Sequence, residues 1–449
     1  MASKPPDFRS ERDSMGEVLV PAAALYGAQT QRAVENFAVG PHRFQRALIK
    51  ALGLVKACAA RANADLGALP PEIAAAVERA ADAIADGAHY EQFVVNVFQT
   101  GSGTSTNMNV NEVIAHLANA HPNDHVNRSQ SSNDVIPSAI HIAAAVEVRS
   151  QLLPALELLS AALENRAAAF WDVMKIGRTH LQDATPMRLG QEFSGYAQQA
   201  RSCTERLTLA LDGIYELPVG GTAVGTGVNA PEGFAERTIA LIAQRTGLPF
   251  REARNHFEAQ AAKDAVSFLS GALKTCAVAL TKIANDIRWL GSGPRGGLAE
   301  IRLPELQPGS SIMPGKVNPV IPESLLMICA QVIGHDTAIT WGCAAGNFEL
   351  NVMMPVIAYD LLDSIELLSA GVRNFTLRCV NGIEANREKT GALVEQSLAM
   401  ATALTPEIGY DRAAAIAKEA YETGRTVREV AIEKSGLSAE KIAELLRFE

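Results

Sequence analysis

The hydrophobic pattern of the chain is dominated by long stretches in which apolar residues recur every three or four positions. The clearest stretch lies at 258–290, where eight apolar positions step by three and four residues alternately. These positions are Val266, Leu269, Leu273, Cys276, Leu280, Ile283, Ile287 and Leu290. A 3.5-residue period is typical of a helix that packs along its length in a bundle. At 1.5 Å per residue, the predicted helix is roughly 50 Å long.

Other apolar stretches of helical period can pack beside this helix. They lie at 137–170, 190–213, 321–342 and 350–374, with shorter ones at 44–66 and 71–87. Pro154 predicts a kink in the first of them. The pattern therefore predicts an all-α protein. Helices with apolar stripes this long often bury a second face against another subunit, so we expect a helical-bundle oligomer.

Polar, glycine-rich segments divide the chain into three predicted domains. An irregular N-terminal domain covers 1–135, a central helical-bundle domain covers 136–390, and a small helical C-terminal domain covers 391–449. We find no internal repeat and no low-complexity linker in the sequence.

Composition narrows the class of protein. The 449 residues are 48% hydrophobic, 20% charged and 5% aromatic, and Ala and Leu, both strong helix formers, supply much of the apolar content. The net charge of −9 argues against a nucleic-acid surface and against a basic membrane-binding face. The negative net charge does not exclude a small anionic substrate, because a few cationic side chains and helix N-termini can hold a dicarboxylate.

The six cysteines and the N-terminus bear on cofactors and location. No two cysteines form a C-x-x-C pair, and most lie in Ala/Leu-rich stretches, which predicts reduced thiols in the core rather than an iron–sulfur cluster. We expect no metal and no cofactor. The first twelve residues are polar, and no run of about 18 apolar residues occurs, so we expect no membrane span. The expected location is the cytoplasm, or a matrix-like compartment if a targeting segment has been removed.

Four polar segments of unusual composition interrupt the helical pattern. They lie at 101–109 (GSGTSTNMN), 121–134 (HPNDHVNRSQSSND), 177–183 (GRTHLQD) and 308–319 (PGSSIMPGKVNP), with Glu323 just beyond the last. The first two offer hydroxyls, amides and backbone N–H groups, which could cap helices, bind an anion, or do both. His180 in the third would by itself more often be structural than catalytic. The fourth could be a surface loop, but its Ile-Met centre and its Lys between Gly and Val favour a lid over a site.

The segment 309–319 (GSSIMPGKVNP) resembles the signature of the aspartase/fumarase superfamily. The likeness covers nearly the whole chain, through 15–37, 100–112, 121–137, 177–192 and 218–229. The SSND sequence at 131–134 and the GSGT sequence at 101–104 resemble the class II fumarases, where aspartases usually carry STND and GAGT. Ser105 replaces a Gln found in many fumarases, and the stretches 303–309 and 318–323 are shared with aspartases.

The resemblance implies a fold and an activity. Three helical domains per subunit would pair through the central bundle into a tetramer with a twenty-helix core, and each active site would be assembled from three subunits. The implied reaction is the reversible, stereospecific addition of water to fumarate, giving L-malate through an aci-carboxylate intermediate in the tricarboxylic acid cycle. The partners would be the dicarboxylate substrate and the other subunits of a homotetramer.

The resemblance also assigns residues to roles. Ser310 would be the base, His180 would act on the water molecule, and Glu323 would polarise that imidazole. Substrate binding falls to Ser102, Gly103, Thr104, Ser131, Ser132, Asn133, Thr179, Ser311, Lys316, Val317 and Asn318. A second dicarboxylate site would comprise His121, Pro122, Asn123 and Asp124.

Two alternatives remain open at this point. An aspartate ammonia-lyase would use the same carbanion chemistry with a different leaving group. A catalytically silent structural or ligand-binding relative should have lost catalytic residues, yet Ser310, Lys316, Asn318, His180 and Glu323 are all present.

Overall fold

The computed structural model describes residues 8–447, and helices dominate them. The α-helices are α1 (Ala28–Asn36), α2 (Arg46–Asp65), α3 (Pro71–Ala85), α4 (Thr104–Ala118), α5 (Ser132–Glu147), α6 (Leu153–Ala169), α7 (Leu189–Ile214), α8 (Phe234–Thr246), α9 (His256–Ala261), α10 (Asp264–Leu290), α11 (Val320–Cys343), α12 (Met354–Arg378), α13 (Arg387–Gln396), α14 (Thr405–Ile408), α15 (Tyr410–Thr423), α16 (Val427–Lys434) and α17 (Ala439–Leu445). The all-α prediction is confirmed.

Short strands pair two by two and form no larger sheet among the described residues. They are β1 (Phe8–Asp13), β2 (Gly16–Pro21), β3 (Met174–Thr179), β4 (Gln182–Arg188), β5 (Glu216–Leu217), β6 (Arg251–Glu252), β7 (Ile301–Arg302), β8 (Gly346–Asn347), β9 (Leu350–Asn351) and β10 (Glu384–Ala385). The pairs β1–β2, β3–β4, β7–β10 and β8–β9 are antiparallel, and β5–β6 is parallel. The hairpin β3–β4 matters most, because it carries His180 in its turn.

The helix predicted at 258–290 is interrupted near its start. Ala262 has an extended backbone (φ −84°, ψ 157°), so α9 ends before it and α10 begins after it. The buried Lys263 ammonium donates hydrogen bonds to the carbonyl groups of Ala259, Gln260 and Ala262 at 3.0, 2.8 and 2.8 Å. These bonds satisfy carbonyl groups that the end of a helix leaves without partners, which stabilises the break.

The stretch predicted at 137–170 also forms two helices. A π-helical turn at Val148–Leu152 lies between α5 and α6. Pro154 is the second residue of α6, two positions after this turn, and a proline has no N–H to continue the α-helical hydrogen bonds of the preceding turn. The predicted irregularity at Pro154 is therefore present as a widened turn.

The apolar stripe of α10 is filled within one chain. All eight predicted positions, from Val266 to Leu290, are at most 4% exposed. Phe268, Val278 and Trp289 on the same helix are instead 58, 55 and 56% exposed. The face available for another subunit is therefore a different one from the predicted stripe. Among the described residues, α10 is also the one helix with the length and hydropathy of a membrane span, with half of its most apolar window buried, a test that core helices of soluble proteins also pass.

The chain folds into two compact units, each built from three stretches of sequence. Unit 1 takes in the described part of Met1–Pro154 together with Thr204–Ala277 and Cys329–Ser369. Its helix α2 packs against α3, α5 and α8. Unit 2 takes in Ala155–Cys203, Val278–Ile328 and the described part of Ala370–Glu449. The predicted division at 135 and 390 does not coincide with these units and stays a prediction.

Unit 2 contains a separate small core near the C-terminus. Buried apolar side chains between Met400 and Leu446 pack on one another, among them Leu404, Val430 and Ile442. The short helices α14 to α17 surround this core, and capping residues such as Thr426 define their ends.

Candidate active site

Two helix N-termini in unit 1 meet at a chain of hydroxyl groups. The Thr104 hydroxyl lies 2.7 Å from that of Ser102 and 2.6 Å from that of Ser132. Gly103 has a φ of 74°, and a Cβ there would lie 3.0 Å from the Ile136 side chain, so glycine suits both the backbone and the space. We call Ser102, Thr104 and Ser132 the hydroxyl platform. The structure thus brings together residues that the sequence placed in two separate segments.

The start of α5 next to the platform is tightly capped. The Ser131 side chain accepts the N–H of Asn133 at 3.2 Å, and the Ser131 N–H donates to Asp134 at 2.9 Å. The Asn133 side-chain amide donates to the carbonyl of Ala223 at 2.8 Å. Both predicted roles of this segment remain compatible, because a capped helix N-terminus also attracts an anion.

The Asp134 carboxyl connects the start of α5 to a neighbouring segment. Its side chain is fully buried, and its second oxygen accepts the N–H groups of Gly220 and Thr222 at 2.9 and 3.0 Å. Burial raises the pKa of the Asp134 carboxyl, while the backbone N–H groups act in the opposite direction. The carboxyl therefore fixes the 218–229 segment against the start of α5.

The four residues predicted for a second dicarboxylate site lie on a π-helical turn of unit 1. Pro122–Val126 forms the turn, and His121 precedes it. The His121 ring accepts the backbone N–H of Asp124 at 3.0 Å, and the backbone N–H of His121 donates to the ring of His125 at 2.9 Å. Among the described residues, no hydrogen bond connects this turn to the hydroxyl platform.

His180 occupies a strained position in unit 2. The pair Thr179 and Gln182 closes β3 on β4, which leaves His180 and Leu181 as a two-residue turn with φ values of 56° and 60°. Such a turn favours Asn or Gly at both positions. Non-glycine residues held at positive φ carry backbone strain, and such residues cluster at functional sites. The backbone strain at His180 therefore favours a functional role over a structural one.

A buried ionic cluster holds β3 just before this turn. The Arg178 guanidinium makes two hydrogen bonds, of 2.9 and 3.1 Å, to the fully buried carboxylate of Glu300. The Lys175 ammonium lies 3.6 Å from the same carboxylate and 3.0 Å from that of Glu192. Paired, bidentate contacts of this kind fix side-chain geometry. We infer that they hold the strand from which His180 projects.

The signature loop, which we define as Gly309–Asn318, closes on itself. Gly309 donates its N–H to the carbonyl of Lys316 at 2.7 Å, and the Asn318 amide donates to the carbonyl of Gly309 at 2.7 Å. A Cβ on Gly309 would lie 2.6 Å from that Lys316 oxygen, so only glycine fits. Most of the loop is exposed, including Ile312 at 83%.

Ser310 lies inside this loop in an unusual hydrogen-bonding environment. Its hydroxyl oxygen accepts the backbone N–H groups of Ile312 and Met313 at 3.2 and 3.0 Å. Two N–H donors directed at one oxygen favour its negatively charged form.

The remaining predicted residues lie near this loop in sequence and have few partners. Ser311, Lys316 and Val317 are exposed, and Glu323 lies in the first turn of α11. Within the described part of the chain, no hydrogen bond or ion pair engages the Lys316 ammonium or the Glu323 carboxylate, and none joins Glu323 to His180. The predicted His180–Glu323 pairing is thus not formed within one chain and stays a prediction.

Known proteins resemble this chain over its full length. A family model described as lyase matches residues 16–334, and one described as the C-terminus of fumarase C matches residues 400–449. Fumarate hydratase class II of Mycobacterium tuberculosis (strain ATCC 25618 / H37Rv) is 54% identical over 443 residues, which are 97% of this chain and 93% of the relative. The protein of that name from Thermosynechococcus vestitus is 53% identical over 99% of this chain and 97% of its own. A crystal structure of class II fumarase from Schistosoma mansoni superposes with a TM-score of 0.95 at 40% identity, covering 98% of both chains.

The chain belongs to the class II fumarate hydratase family. The resemblance inferred from the signature loop is therefore confirmed, and the chain is a lyase. Relatives at this identity carry the fumarase name, so the aspartase alternative is not favoured.

Two buried charged residues that contact the predicted site segments escaped the sequence analysis. Lys56 is fully buried in α2 below the 127–130 turn, and Glu300 is fully buried behind β3. The only signal in the sequence is a lone charge between small or apolar neighbours, as in LVKAC at 54–58. Such a residue is paired when buried, but its partner cannot be identified from local sequence.

Five of the six cysteines are buried, and burial raises the pKa of the Cys58 and Cys379 thiols to about 12. Among residues 8–447, no group of three or more His, Cys, Asp or Glu side chains is arranged to hold a metal ion.

Proposed function

We infer that this chain is a fumarate hydratase, which adds water reversibly to fumarate and gives L-malate. The observation that carries this conclusion is the 54% identity over 97% of the chain to a relative named fumarate hydratase class II. The geometry of Ser310 gives the function a chemical basis, because its hydroxyl oxygen accepts two backbone N–H groups.

In the direction from malate, Ser310 would remove a proton from the carbon beside a carboxylate. The product of that step is a dianionic aci-carboxylate, so its extra charge needs preorganised donors. The Lys316 ammonium can supply one, helped by the N–H groups around Ser311. Asn318 can supply another, because its amide nitrogen carries two N–H bonds and only one is used for Gly309.

On the opposite side of the substrate, His180 would donate a proton to the leaving hydroxyl group. The strained turn and the exposed ring support this role, since they leave the imidazole accessible. Glu323 would orient that imidazole, as a carboxylate does for a catalytic histidine. We propose that the two meet across subunits, since they make no contact within one chain.

The hydroxyl platform and the start of α5 would hold the substrate carboxylates. Hydroxyl groups and a helix N-terminus bind carboxylates without requiring a metal. Ser131 and Asn133 would act beside the platform, and Thr179 would act from the strand before His180. The turn at His121–Asp124 would form a second dicarboxylate site.

A paired substrate assay tests the function directly. Purified protein is incubated separately with L-malate and with L-aspartate, and fumarate is followed by its ultraviolet absorbance. We expect fumarate from malate alone. Fumarate from aspartate at a comparable rate would support the ammonia-lyase, and no reaction with either would support the silent relative.

We propose a homotetramer in the cytoplasm whose active sites are shared between subunits. The exposed apolar face of α10 supports an assembly of this kind. Mixing a His180→Asn variant with a Ser310→Ala variant tests the shared site. Hybrid tetramers should regain part of the activity if these residues come from different chains. Failure to complement, in hybrids shown by mass spectrometry to have formed, would place the site within one chain.

A further inference from the structure

Helix α2 carries two fully buried polar side chains on one face. Lys56 and Asn63 are both 0% exposed and lie seven residues apart, which places them on the same side of a helix. The helix is otherwise buried through small and apolar side chains. Two polar groups in such a setting require specific partners, because an unpaired buried charge or amide is costly.

Both side chains hold the turn that leads into the substrate segment. The Lys56 ammonium donates to the side-chain oxygens of Asn127 and Gln130 at 3.0 and 2.9 Å. Asn63 donates to the carbonyl of Arg128 at 3.0 Å and accepts the Ser129 hydroxyl at 2.6 Å. The turn ends directly before Ser131, the cap of α5.

These bonds hold the turn in a strained conformation. Ser129 has a φ of 62°, a conformation that a non-glycine residue adopts only when its surroundings impose it. The bonds from α2 hold Arg128 before it, Gln130 after it and the Ser129 hydroxyl itself. We infer that α2 stabilises the backbone conformation that presents Ser131 to a ligand.

The ammonium is also linked to the other half of the platform. Asn107 and Asn111 of α4 donate to the same Asn127 oxygen at 3.2 and 3.1 Å. Helix α4 begins at Thr104, so the polar cluster around Lys56 connects both helix starts that make the platform. The Asn107 and Asn111 side-chain oxygens are buried and accept no hydrogen bond among the described residues. The cluster therefore contains one cation and two acceptor oxygens without a donor.

Lys56 is therefore the cation behind the carboxylate-binding surface. Asp134 is the charged group that acts on it, and burial lowers the pKa of the ammonium to about 7 against that attraction. Asp134 directs its own oxygens to backbone N–H groups and makes no ion pair with Lys56 among the described residues. A buried charge without a close ion pair interacts more strongly with its surroundings than the same charge in water, because the effective dielectric constant of the interior is lower.

We propose that Lys56 is a positioning residue for the substrate carboxylate. It holds Asn127 and Gln130 so that the start of α5 meets the platform, and its charge favours a dicarboxylate dianion there. This inference rests on the proposed function. It assigns Lys56 to binding, since the ammonium acts through other residues and does not touch the reacting atoms.

The test compares Lys56→Met with wild type, with Lys50→Met as the matched control on an exposed position of the same helix. Lys56→Met should raise KM for L-malate and for fumarate by about 10- to 100-fold, the worth of a charge-assisted hydrogen bond. Turnover should stay within about threefold, because binding to ground and transition states is lost equally. Lys50→Met should match wild type in both constants.

Binding of succinate, measured by calorimetry, separates this inference from the proposed function. Succinate cannot react, so its affinity reports dicarboxylate binding without the chemical step. Burial lowers the pKa of the Lys56 ammonium to about 7, so wild-type affinity should fall as the pH rises through that value, and Lys56→Met should bind more weakly and lack this step. Lack of fumarase activity in wild type would refute the proposed function, whereas the succinate data test the role of Lys56 in binding.

Two results would overturn the inference. One is a folded Lys56→Met protein with KM and succinate affinity within twofold of wild type. The other is a folded Gln130→Leu protein with KM and succinate affinity within twofold of wild type, since that variant removes one of the two groups that the ammonium holds and can be tested if Lys56→Met fails to fold. Lys56→Gln keeps a donor for the turn without the charge. If it matches wild type in KM and succinate affinity, the charge is not required and that half of the proposal fails.

Discussion

The hydroxyl platform and the signature loop are two parts of one proposed site, yet the fold supports them in opposite ways. Ser102, Thr104 and Ser132 lie at the starts of two helices, and a buried cluster of charged and amide side chains fixes the turn and the cap beside them. The loop Gly309–Asn318 is largely exposed and is closed by bonds among its own residues.

This difference matches two different chemical tasks. Binding a carboxylate benefits from donors that are already in place, because no ordering cost is then incurred when the ligand arrives. A base such as Ser310 works best when water is excluded only after the substrate has entered. A loop that keeps its internal geometry through its own bonds could move as a unit, and it would carry the Ser310 environment with it.

The largest expected effect separates the two parts by activity. Ser310→Ala should lower turnover by about 10²- to 10⁴-fold, the usual worth of a positioned general base. Its stability should stay within about 0.5 kcal/mol of wild type, because the loop contributes little to the core. Ser132→Ala on the platform is the comparison variant, and it should raise KM more than it lowers turnover.

Steady-state kinetics and thermal unfolding of both variants provide the measurements. A Ser310→Ala enzyme with turnover within threefold of wild type would remove Ser310 from the mechanism. Equal losses of turnover in the two variants would show that the platform and the signature loop do not have the different tasks proposed for them.

The next effect concerns the filled and exposed faces of α10. Leu280 is 1% exposed, so Leu280→Asp should cost several kcal/mol of unfolding free energy by burying a carboxylate within the chain. Val278 is 55% exposed, so Val278→Asp should leave the subunit folded and weaken the assembly. Circular dichroism and analytical ultracentrifugation distinguish these outcomes. A folded Leu280→Asp subunit, or an unchanged oligomer of Val278→Asp, would contradict the assignment of the two faces.

A third effect tests how rigidly the platform is supported. Asp134→Ala removes a buried carboxylate that accepts three backbone N–H groups, and it should cost about 3 kcal/mol or more of unfolding free energy. Asp124→Ala is the matched control, since the Asp124 side chain is 77% exposed, and it should change stability by less than about 0.5 kcal/mol. Denaturant unfolding measures both. Similar stability in the two variants would show that the platform does not depend on Asp134.

The smallest effect tests the strain beside His180. Leu181→Gly relieves a positive φ of 60° at an exposed position, and glycine is the preferred second residue of such a turn. We expect the unfolding free energy to rise by about 0.5 kcal/mol, with turnover within about twofold of wild type. Thermal unfolding and the fumarase assay check this. A clear loss of stability would show that the Leu181 side chain, and not strain, dominates at this turn.

The sequence determined the class of fold and the identity of the main chemical groups. Helices at 44–66, 190–213, 321–342 and 350–374 were predictable, because an apolar stripe of helical period is a local property. The signature loop was recognised from the sequence by its resemblance to the superfamily signature, whereas its closure through Gly309 and Asn318 is seen only in the structure. The strain at His180, in contrast, depends on the pairing of β3 with β4.

Tertiary structure alone decided which groups the buried charges contact. Lys56 reaches residues more than 70 positions away in the chain, and Arg178 reaches Glu300 across 122 positions. It also decided that the predicted stripe of α10 is filled within the chain while Phe268, Val278 and Trp289 remain exposed. Periodicity shows that a residue is apolar on one face, but only the packed chain determines what covers that face. The partner of a buried charge is likewise set by contacts that no local pattern contains, because the cost of burial is offset by whichever group the fold brings near.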